Sequence, residues 1–350
     1  MKVTLVGYFG HGNTGDEAIL HSIIGQLKRY HNPVQITVLS NTPEKTSATY
    51  NVISIQRKSL ASILASIRMS NIIIFAGGTL FQDITSIGSL LYYLSIIVVS
   101  KIFHKKVILY SQGIEPFKYY FSKLLVKQVF VFTDFISVRD LESRKYLLET
   151  LKLKKTIRYT VDSAMMLNPL QVNNKYKGYI GINLMNIIDC PLDHIAKALI
   201  KFSNEFNKKI LYIPFQEGDI IVGQKLERLI PSSLFEILDV HENISELLGI
   251  ISQLDLLMGA RLHSLILSAT VYTPFIGIHY YDKVQSFSRE VSQNYIGFSD
   301  LQNGVFYSTL VEVLNNRSMH RKQLERIVMM LKEQSKDSLI NNILIKYEKT

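Results

Sequence analysis

Residues 2–30 read KVTLVGYFGHGNTGDEAILHSIIGQLKRY. The β-branched, apolar run over 2–8 is the pattern of a strand. From 17 to 30, apolar residues such as Ala18, Ile19, Ile23 and Leu27 recur at helical spacing. Between the two runs stand Gly10, Gly12 and Gly15. Strand, glycine turn and helix open a Rossmann-like unit, and the chain then repeats the alternation. Runs at 35–39, 72–76, 106–110, 135–138 and 157–161 predict further strands with helical patterns between most of them. The pattern pauses at Asn168-Pro169 and the polar stretch 171–177, then restarts with strands at 179–184, 210–214, 235–238, 255–258 and 274–279. This alternation predicts an α/β fold of parallel sheets covered by helices on both faces. Two Rossmann-like domains facing a cleft are expected, one over 1–170 and one over 178–318, followed by a C-terminal helical segment over 319–350. In such folds ligands sit beyond the carboxyl ends of the strands.

The 350 residues suit two medium domains. A composition with 47% hydrophobic and 19% charged residues is that of a globular chain. The single cysteine, Cys190, allows no internal disulfide and fits a reducing cytoplasm. The opening residues meet the glycine turn with no small-residue cleavage site, so they read as a first strand and not as a signal peptide. The net charge of +10 favours an anionic ligand or an anionic membrane surface. Its basic residues form no stripe and no nucleic-acid motif is present, so nucleic acid is not an expected partner. The nine histidines are scattered, and with one cysteine and no Asp-x-Asp no metal site is expected.

Gly10-His11-Gly12-Asn13-Thr14-Gly15 matches G-x-G-x-x-G in form. A dinucleotide site also needs an acid at the end of the second strand to hold a ribose, and here that strand ends Leu39-Ser40-Asn41. NAD is therefore not expected. The loop still offers backbone N–H groups at a helix start, which suit an anion or sugar hydroxyls. Asp16-Glu17 is favourable there by helix dipole and capping alone.

Seven segments occur in order: residues 7–18 (GYFGHGNTGDEA), 77–83 (GGTLFQD), 112–116 (QGIEP), 138–140 (VRD), 161–164 (VDSA), 259–264 (GARLHS) and 281–283 (YDK). Together they resemble the polysaccharide pyruvyl transferase family, which acts on bacterial cell-surface glycans. The resemblance implies a two-domain architecture like that of the metal-independent GT-B glycosyltransferases, with phosphoenolpyruvate as donor substrate and no cofactor. The first domain would be the acceptor side and the second the donor side. One departure stands out: Ser111 and Glu115 occupy positions where the family pattern has glycine.

Phosphoenolpyruvate carries a carboxylate and a phosphate, and guanidinium groups chelate such anions bidentately. Arg139 and Arg261 each follow a strand, and Arg261, Leu262 and His263 open a helix whose N–H groups and dipole add to the attraction. Lys283 holds the equivalent place after the next strand. The donor-binding candidates are thus Arg139, Arg261, Leu262 and Lys283, with Arg261 and His263 as catalytic candidates. His263 is the candidate acid, since imidazolium gives a proton near neutral pH. Gly12, Asn13, Asp16, Glu17 and Asp83 are the acceptor-side candidates, and Asp16, Glu17 and Asp83 are the candidate bases. Spacing alone equally allows Arg139-Asp140 to be a surface ion pair. Asp162 reads as a brace.

Residues 84–100 carry no charge but are interrupted by Ser, Thr, Gly and Tyr, so a buried helix is expected there and not a membrane span. Lys118, Lys123 and Lys127 share a segment with Phe121, Leu124, Leu125 and Val126, which suits peripheral contact with an anionic membrane bearing lipid-linked acceptors. The competing function is a metal-independent nucleotide-sugar glycosyltransferase, with Glu217 posing as the ribose acid. A glycan-binding or scaffold protein is a third reading.

Overall fold

The computed structural model describes residues 1–30, 33–187, 190–239, 243–340 and 342–344. It divides into two compact units, one comprising Met1–Ser163 and the chain from Leu331 on, the other Ala164–Met330. Each is a fully parallel sheet covered by helices, so both expected Rossmann-like repeats are present.

In the first unit the strands are β1 (Lys2–Phe9), β2 (Gln35–Ser40), β3 (Ile53–Gln56), β4 (Ile72–Ala76), β5 (Lys106–Gln112), β6 (Phe135–Val138) and β7 (Arg158–Tyr159). The helices are α1 (Thr14–Tyr30), α2 (Pro43–Tyr50), α3 (Leu60–Met69), α4 (Ile87–Ile102), α5 (Tyr120–Phe130) and α6 (Leu141–Lys145). The sheet order is β3-β2-β1-β4-β5-β6-β7. A sheet buried on both faces reads as an unbroken apolar run and not as alternation. β4, Ile-Ile-Ile-Phe-Ala, is buried at every position. One face packs under α3, α4 and α5 through Ile67, Leu94, Ile97 and Val126, the other under α1 through Leu20, Ile23 and Leu27.

The second unit has β8 (Ile180–Asn183), β9 (Ile210–Tyr212), β10 (Phe235–Ile237), β11 (Leu256–Gly259), β12 (Phe275–His279) and β13 (Asn294–Gly297). Its helices are α7 (Leu192–Phe206), α8 (Glu217–Glu227), α9 (Ile244–Ser252), α10 (Leu262–Thr270), α11 (Asp282–Glu290), α12 (Gly304–Asn315) and α13 (Arg317–Gln334). The order β10-β9-β8-β11-β12-β13 repeats the doubly wound pattern. In each unit the winding reverses beside the first strand, between β1 and β4 and between β8 and β11.

β3 and β13 are absent from the sequence-based strand set. Both are four-residue strands at sheet edges with half-buried positions, so neither carries the apolar run that marks the interior strands. The polar stretch after Asn168 is held by the second unit: Leu170 N–H donates to Ser245 O, and a Cβ on Gly249 would lie 2.2 Å from Leu170 O. The segment over 319–350 is divided. α13 begins in the second unit, and the chain beyond Leu331 belongs to the first. There Val161 N–H donates to Ser335 Oγ, Ile340 N–H donates to the Tyr110 hydroxyl, and Ile340, Ile343 and Leu344 are buried beside Leu20 and Ile23. Among the described residues no helix is long and apolar enough to cross a membrane.

The C-terminal return predicts a stability effect. Ile340 is fully buried, so Ile340→Ala should destabilise the first unit by about 2–5 kcal/mol, the usual range for this truncation in a core. Urea unfolding followed by circular dichroism measures it.

Candidate active site

The second unit gathers its candidates on one edge. β11 ends at Gly259, where a Cβ would stand 2.2 Å from Ser264 Oγ and 2.7 Å from a Leu265 methyl, so only glycine lets α10 close on the strand. Ser264 N–H and its hydroxyl both donate to Arg261 O, fixing the turn. Arg261 is the N-cap of α10, Leu262 and His263 are its first residues, and His263 is half-buried. β12 pairs with β11, and the helix after it, α11, begins Asp282-Lys283, so Lys283 lies at the end of the adjacent strand. Its ammonium stands 5.3 Å from the Tyr281 ring centroid.

Arg261 is held from one side. Its Nε and Nη2 donate to the Asp219 carboxylate at 2.7 and 2.6 Å. Asp219 is fully buried in the first turn of α8 and also accepts from Phe215 N–H at 3.1 Å. Asn183, at the end of β8, completes the set: its amide donates to Ile213 O and to Asp219, and its Oδ1 accepts from Arg261 N–H. The carboxylate thus reaches across the end of β8 to lock the guanidinium side-on. The outer edge, Nη1 with the second proton of Nη2, takes no partner among the described residues, and the side chain is 20% exposed. That edge is the one a planar anion would chelate.

The first unit arranges the glycine loop and its neighbours. Gly10 and Gly12 have φ of +73° and +68°. A Cβ on Gly10 would lie 2.2 Å from Ser40 Oγ and 2.7 Å from Thr42 N, so only glycine lets the loop close on the end of β2. Gly12 is exposed with nothing near its Cβ direction. Asn13 Oδ1 accepts from Gly15 N–H and Asn13 O from Glu17 N–H, starting α1. Glu17 turns back, accepting from Gly10 N–H and from the Tyr50 hydroxyl, each at 2.8 Å. Asp16 Oδ1 stands 3.3 Å from the place of a Cβ on Gly78, so its carboxylate lies over the Gly77-Gly78 turn after β4.

Two residues take positions other than a surface or substrate-facing one. Asp83 is buried, and its oxygens accept from Lys118 and Tyr119 N–H at 2.8 and 2.9 Å. Burial alone would raise its carboxyl, but these N–H groups and the Ser122 hydroxyl outweigh it and hold the pKa below the usual range. Asp83 is therefore committed to the start of α5. Arg139 forms no surface pair with Asp140, which instead caps α6 by accepting from Ser143 N–H. Its guanidinium is buried, donates to Asp162 at 2.8 Å and to Thr79 at 3.3 Å, and lies so close over Gly113 that a Cβ there would stand 2.9 Å from Nε. It ties the loops after β4, β5 and β6 together.

Asn183, Asp219 and Arg57 lie outside the seven segments that carry the family resemblance. Arg57 follows β3, is 9% exposed, and lies within 5.7 Å of the Tyr8, Tyr92 and Tyr93 ring centroids. Its Nη1 stands 2.9 Å from Nε2 of His11, whose ring stacks on Tyr8 at 3.9 Å. Burial lowers the His11 pKa, and the Arg57 and Lys58 cations lower it further. The ring is then neutral, and Nε2 accepts from Arg57. A cavity of about 270 Å³ in this unit lies elsewhere, at the amino ends of β1, β2 and β3 between Lys2, Gln35, Ile53 and Met69.

Two doubly wound parallel sheets define an α/β architecture of GT-B type. The chain belongs to the polysaccharide pyruvyl transferase family, whose family model matches residues 13–282. The fold is shared with UDP-GlcNAc 2-epimerase from Neisseria meningitidis, solved with UDP-GlcNAc (11% identity, 95% of this chain and 99% of that one, TM-score 0.64). It is shared equally with UDP-GlcNAc 2-epimerase from Methanocaldococcus jannaschii (12%, 95% and 100%, TM-score 0.62). HepE from Anabaena, solved with UDP, is a third such structure (10%, 97% and 99%, TM-score 0.62). No curated protein matches the chain significantly in sequence.

Two outcomes follow from this geometry. Asp219→Asn removes the charge that balances Arg261 and should cost the second unit about 3 kcal/mol, the low end for breaking a buried pair because Arg261 keeps some exposure. Urea unfolding of variant and parent measures it. For His11, the folded ring resists protonation, so its contribution is complete above about pH 6.5 and is lost as pH falls from there through the lower pKa of the folded ring. The melting temperature should drop on acidification, and His11→Phe, which keeps the stack, should flatten part of the drop. His21, lowered by burial, supplies a remainder in both proteins.

Proposed function

We propose that the protein transfers the pyruvyl group of phosphoenolpyruvate to two hydroxyls of a sugar in a cell-surface glycan or its lipid-linked precursor, at the inner face of the cytoplasmic membrane. The observation that carries this reading is Arg261, locked side-on by Asp219 with its outer edge left without a partner among the described residues. Leu262 N–H at the start of α10 and Lys283 at the next strand extend the same edge, which suits a donor with both carboxylate and phosphate. Arg139 serves this reading through position, by fixing the loops of the acceptor side.

In the proposed sequence His263 gives a proton to C3 of the enol, making the methyl group and an electrophilic C2. A sugar hydroxyl adds to C2 and releases its proton to a base. Asp16, whose carboxylate lies over the Gly77-Gly78 turn beside the glycine loop, is assigned that role by its position. The C2–O bond to phosphate then breaks, stabilised by Arg261 and Lys283. The second hydroxyl closes the ketal, and its proton leaves with the phosphate. A second reading, nucleotide-sugar transfer, is favoured by the fold shared with proteins solved with UDP and UDP-GlcNAc. It predicts UDP release in place of phosphate release.

The test uses phosphoenolpyruvate and a glycan precursor in D₂O. Deuterium should enter the product methyl, and His263→Gln should lower turnover by about two to four orders of magnitude, the share of a general acid. Phosphoenolpyruvate binding, read by calorimetry, should fall much less. A methyl without deuterium overturns C3 protonation. A labelled methyl from an active His263→Gln variant moves the acid elsewhere, and UDP release from a nucleotide sugar selects the second reading.

A further inference from the structure

An amphipathic surface helix carries charged or polar residues on its outer face, and a helix that is apolar all round is buried in protein or in lipid. α4 carries no charge before Lys101 in its last turn and lies on the outside of the first unit with an apolar outer face. Its inner face, Leu90, Tyr93, Leu94 and Ile97, is buried. Its outer face runs Ile87, Leu91, Val98 and Ile102, one stripe at spacings of four, seven and four, with Ile84 just before it, and all five are exposed, Ile102 by 66%. The intervening outward position is Ser95, whose hydroxyl donates to Tyr92 O and so turns back on its own helix. From 84 to 100 no residue is charged.

α5 packs beside α4 and extends the patch. Tyr120 is 74% exposed, Phe121 60% and Leu124 41%, and Phe132, just past the helix, is 62%. Contiguous exposed apolar surface of this kind marks an interaction site. Its surroundings are basic. From 84 to 132 there are six lysines, Lys101, Lys105, Lys106, Lys118, Lys123 and Lys127, against one acid, Glu115. Lys101 and Lys106 pair with Asp134, whereas Lys118, Lys123 and Lys127, beside the aromatic residues, make no ion pair among the described residues.

We propose that the outer faces of α4 and α5 lie on an anionic lipid bilayer, with the aliphatic stripe and aromatic rings in the headgroup–acyl boundary and Lys118, Lys123 and Lys127 against the lipid phosphates. Charge decides between lipid and a second copy of the chain. Two such faces brought together would oppose like-charged lysines at close range, whereas anionic headgroups complement them. Length decides the mode. At 16 residues α4 is about 24 Å long, short of the roughly 30 Å hydrocarbon core, so it lies on the membrane and does not span it. Aromatic rings at the rim suit the interface, where an apolar body meets a wet edge.

The surface is remote in sequence from Arg261, His263 and Lys283, and the test reads no turnover, so its failure leaves the proposed reaction untouched. Full-length protein is sedimented with vesicles of phosphatidylcholine alone and with vesicles one-third phosphatidylglycerol. Binding should require phosphatidylglycerol and weaken with salt. Lys118→Glu and Lys127→Glu should each weaken it by about fivefold or more, the worth of one surface cation at such a membrane. Ile102→Ser with Phe121→Ser should weaken it at every salt concentration. These side chains are exposed, and an unchanged circular dichroism melt shows that the variants fold. Three results overturn the proposal: no binding to the anionic vesicles at low salt, binding that ignores both sets of variants, or a dimer in analytical ultracentrifugation that the apolar variants dissociate.

Discussion

The carboxylate of Asp219 is fully buried and accepts from Arg261 Nε and Nη2, Phe215 N–H and the Asn183 amide. A charge so placed is costly unless its partners are complete, and removing one leaves the other stranded. Here four donors from three strand ends converge on it: β8 supplies Asn183, the loop after β9 supplies Phe215, and the turn after β11 supplies Arg261. The network does for the carboxyl edge what the apolar core does for the sheet. It also fixes a functional geometry, because a guanidinium held on its Nε side can turn only its outer edge to a ligand. An unbraced arginine would lose rotamer entropy on binding, and this one has already lost it.

The first unit uses the same device with a different emphasis. Arg139 and Asp162 pair at 2.8 Å, but with both side chains buried the guanidinium faces the protein: Asp162 on one side, Thr79 on another, the Gly113 backbone beneath. The difference between the two arginines lies in exposure. One is a brace with a working edge, and the other is a brace throughout. Glu17 and Asp83 follow the second pattern, holding Gly10 and the start of α5. Many polar residues at these strand ends serve to hold the loops in place.

The division between what was legible in the sequence and what was not follows from this. Interior strands announce themselves because parallel sheets bury both faces, and the glycine turn after β1 is written in Gly10, Gly12 and Gly15. The basic residues after β11 and β12 can be placed at the carboxyl edge from the strand pattern alone, but their spacing leaves their role open, and it is the family resemblance that points to a ligand. Partner choice is not readable. Asp16, Glu17 and Asp83 look alike in one dimension, yet Glu17 and Asp83 are spent on backbone N–H groups. Glu217 reads in the sequence as the acid after β9, but it is exposed, and Asp219 two residues on is the one turned inward. Helical geometry separates them, since residues two apart face different directions. The edge strands β3 and β13 escaped because an edge position buries too little to require an apolar run.

Ser111 shows how a departure from the family pattern can be absorbed. The pattern that this sequence resembles has glycine there, and the backbone has a φ of +53°, a left-handed conformation that glycine adopts without steric cost and serine does not. The residue sits where the β5–β6 register shifts, between Leu109 and Gln112, so the conformation belongs to the bulge and not to the side chain. What serine adds is a hydrogen bond: its hydroxyl donates to Val161 O at 3.0 Å, while its N–H donates to Ser137 Oγ at 2.9 Å. Val161 N–H in turn donates to Ser335 Oγ on the returning C-terminal segment. The strain of one left-handed residue, on the order of 1 kcal/mol, is matched by one buried hydrogen bond of similar size. A position where glycine is expected thereby becomes a fastening point between β5, β6 and the strand end that carries Asp162, the carboxylate that holds Arg139.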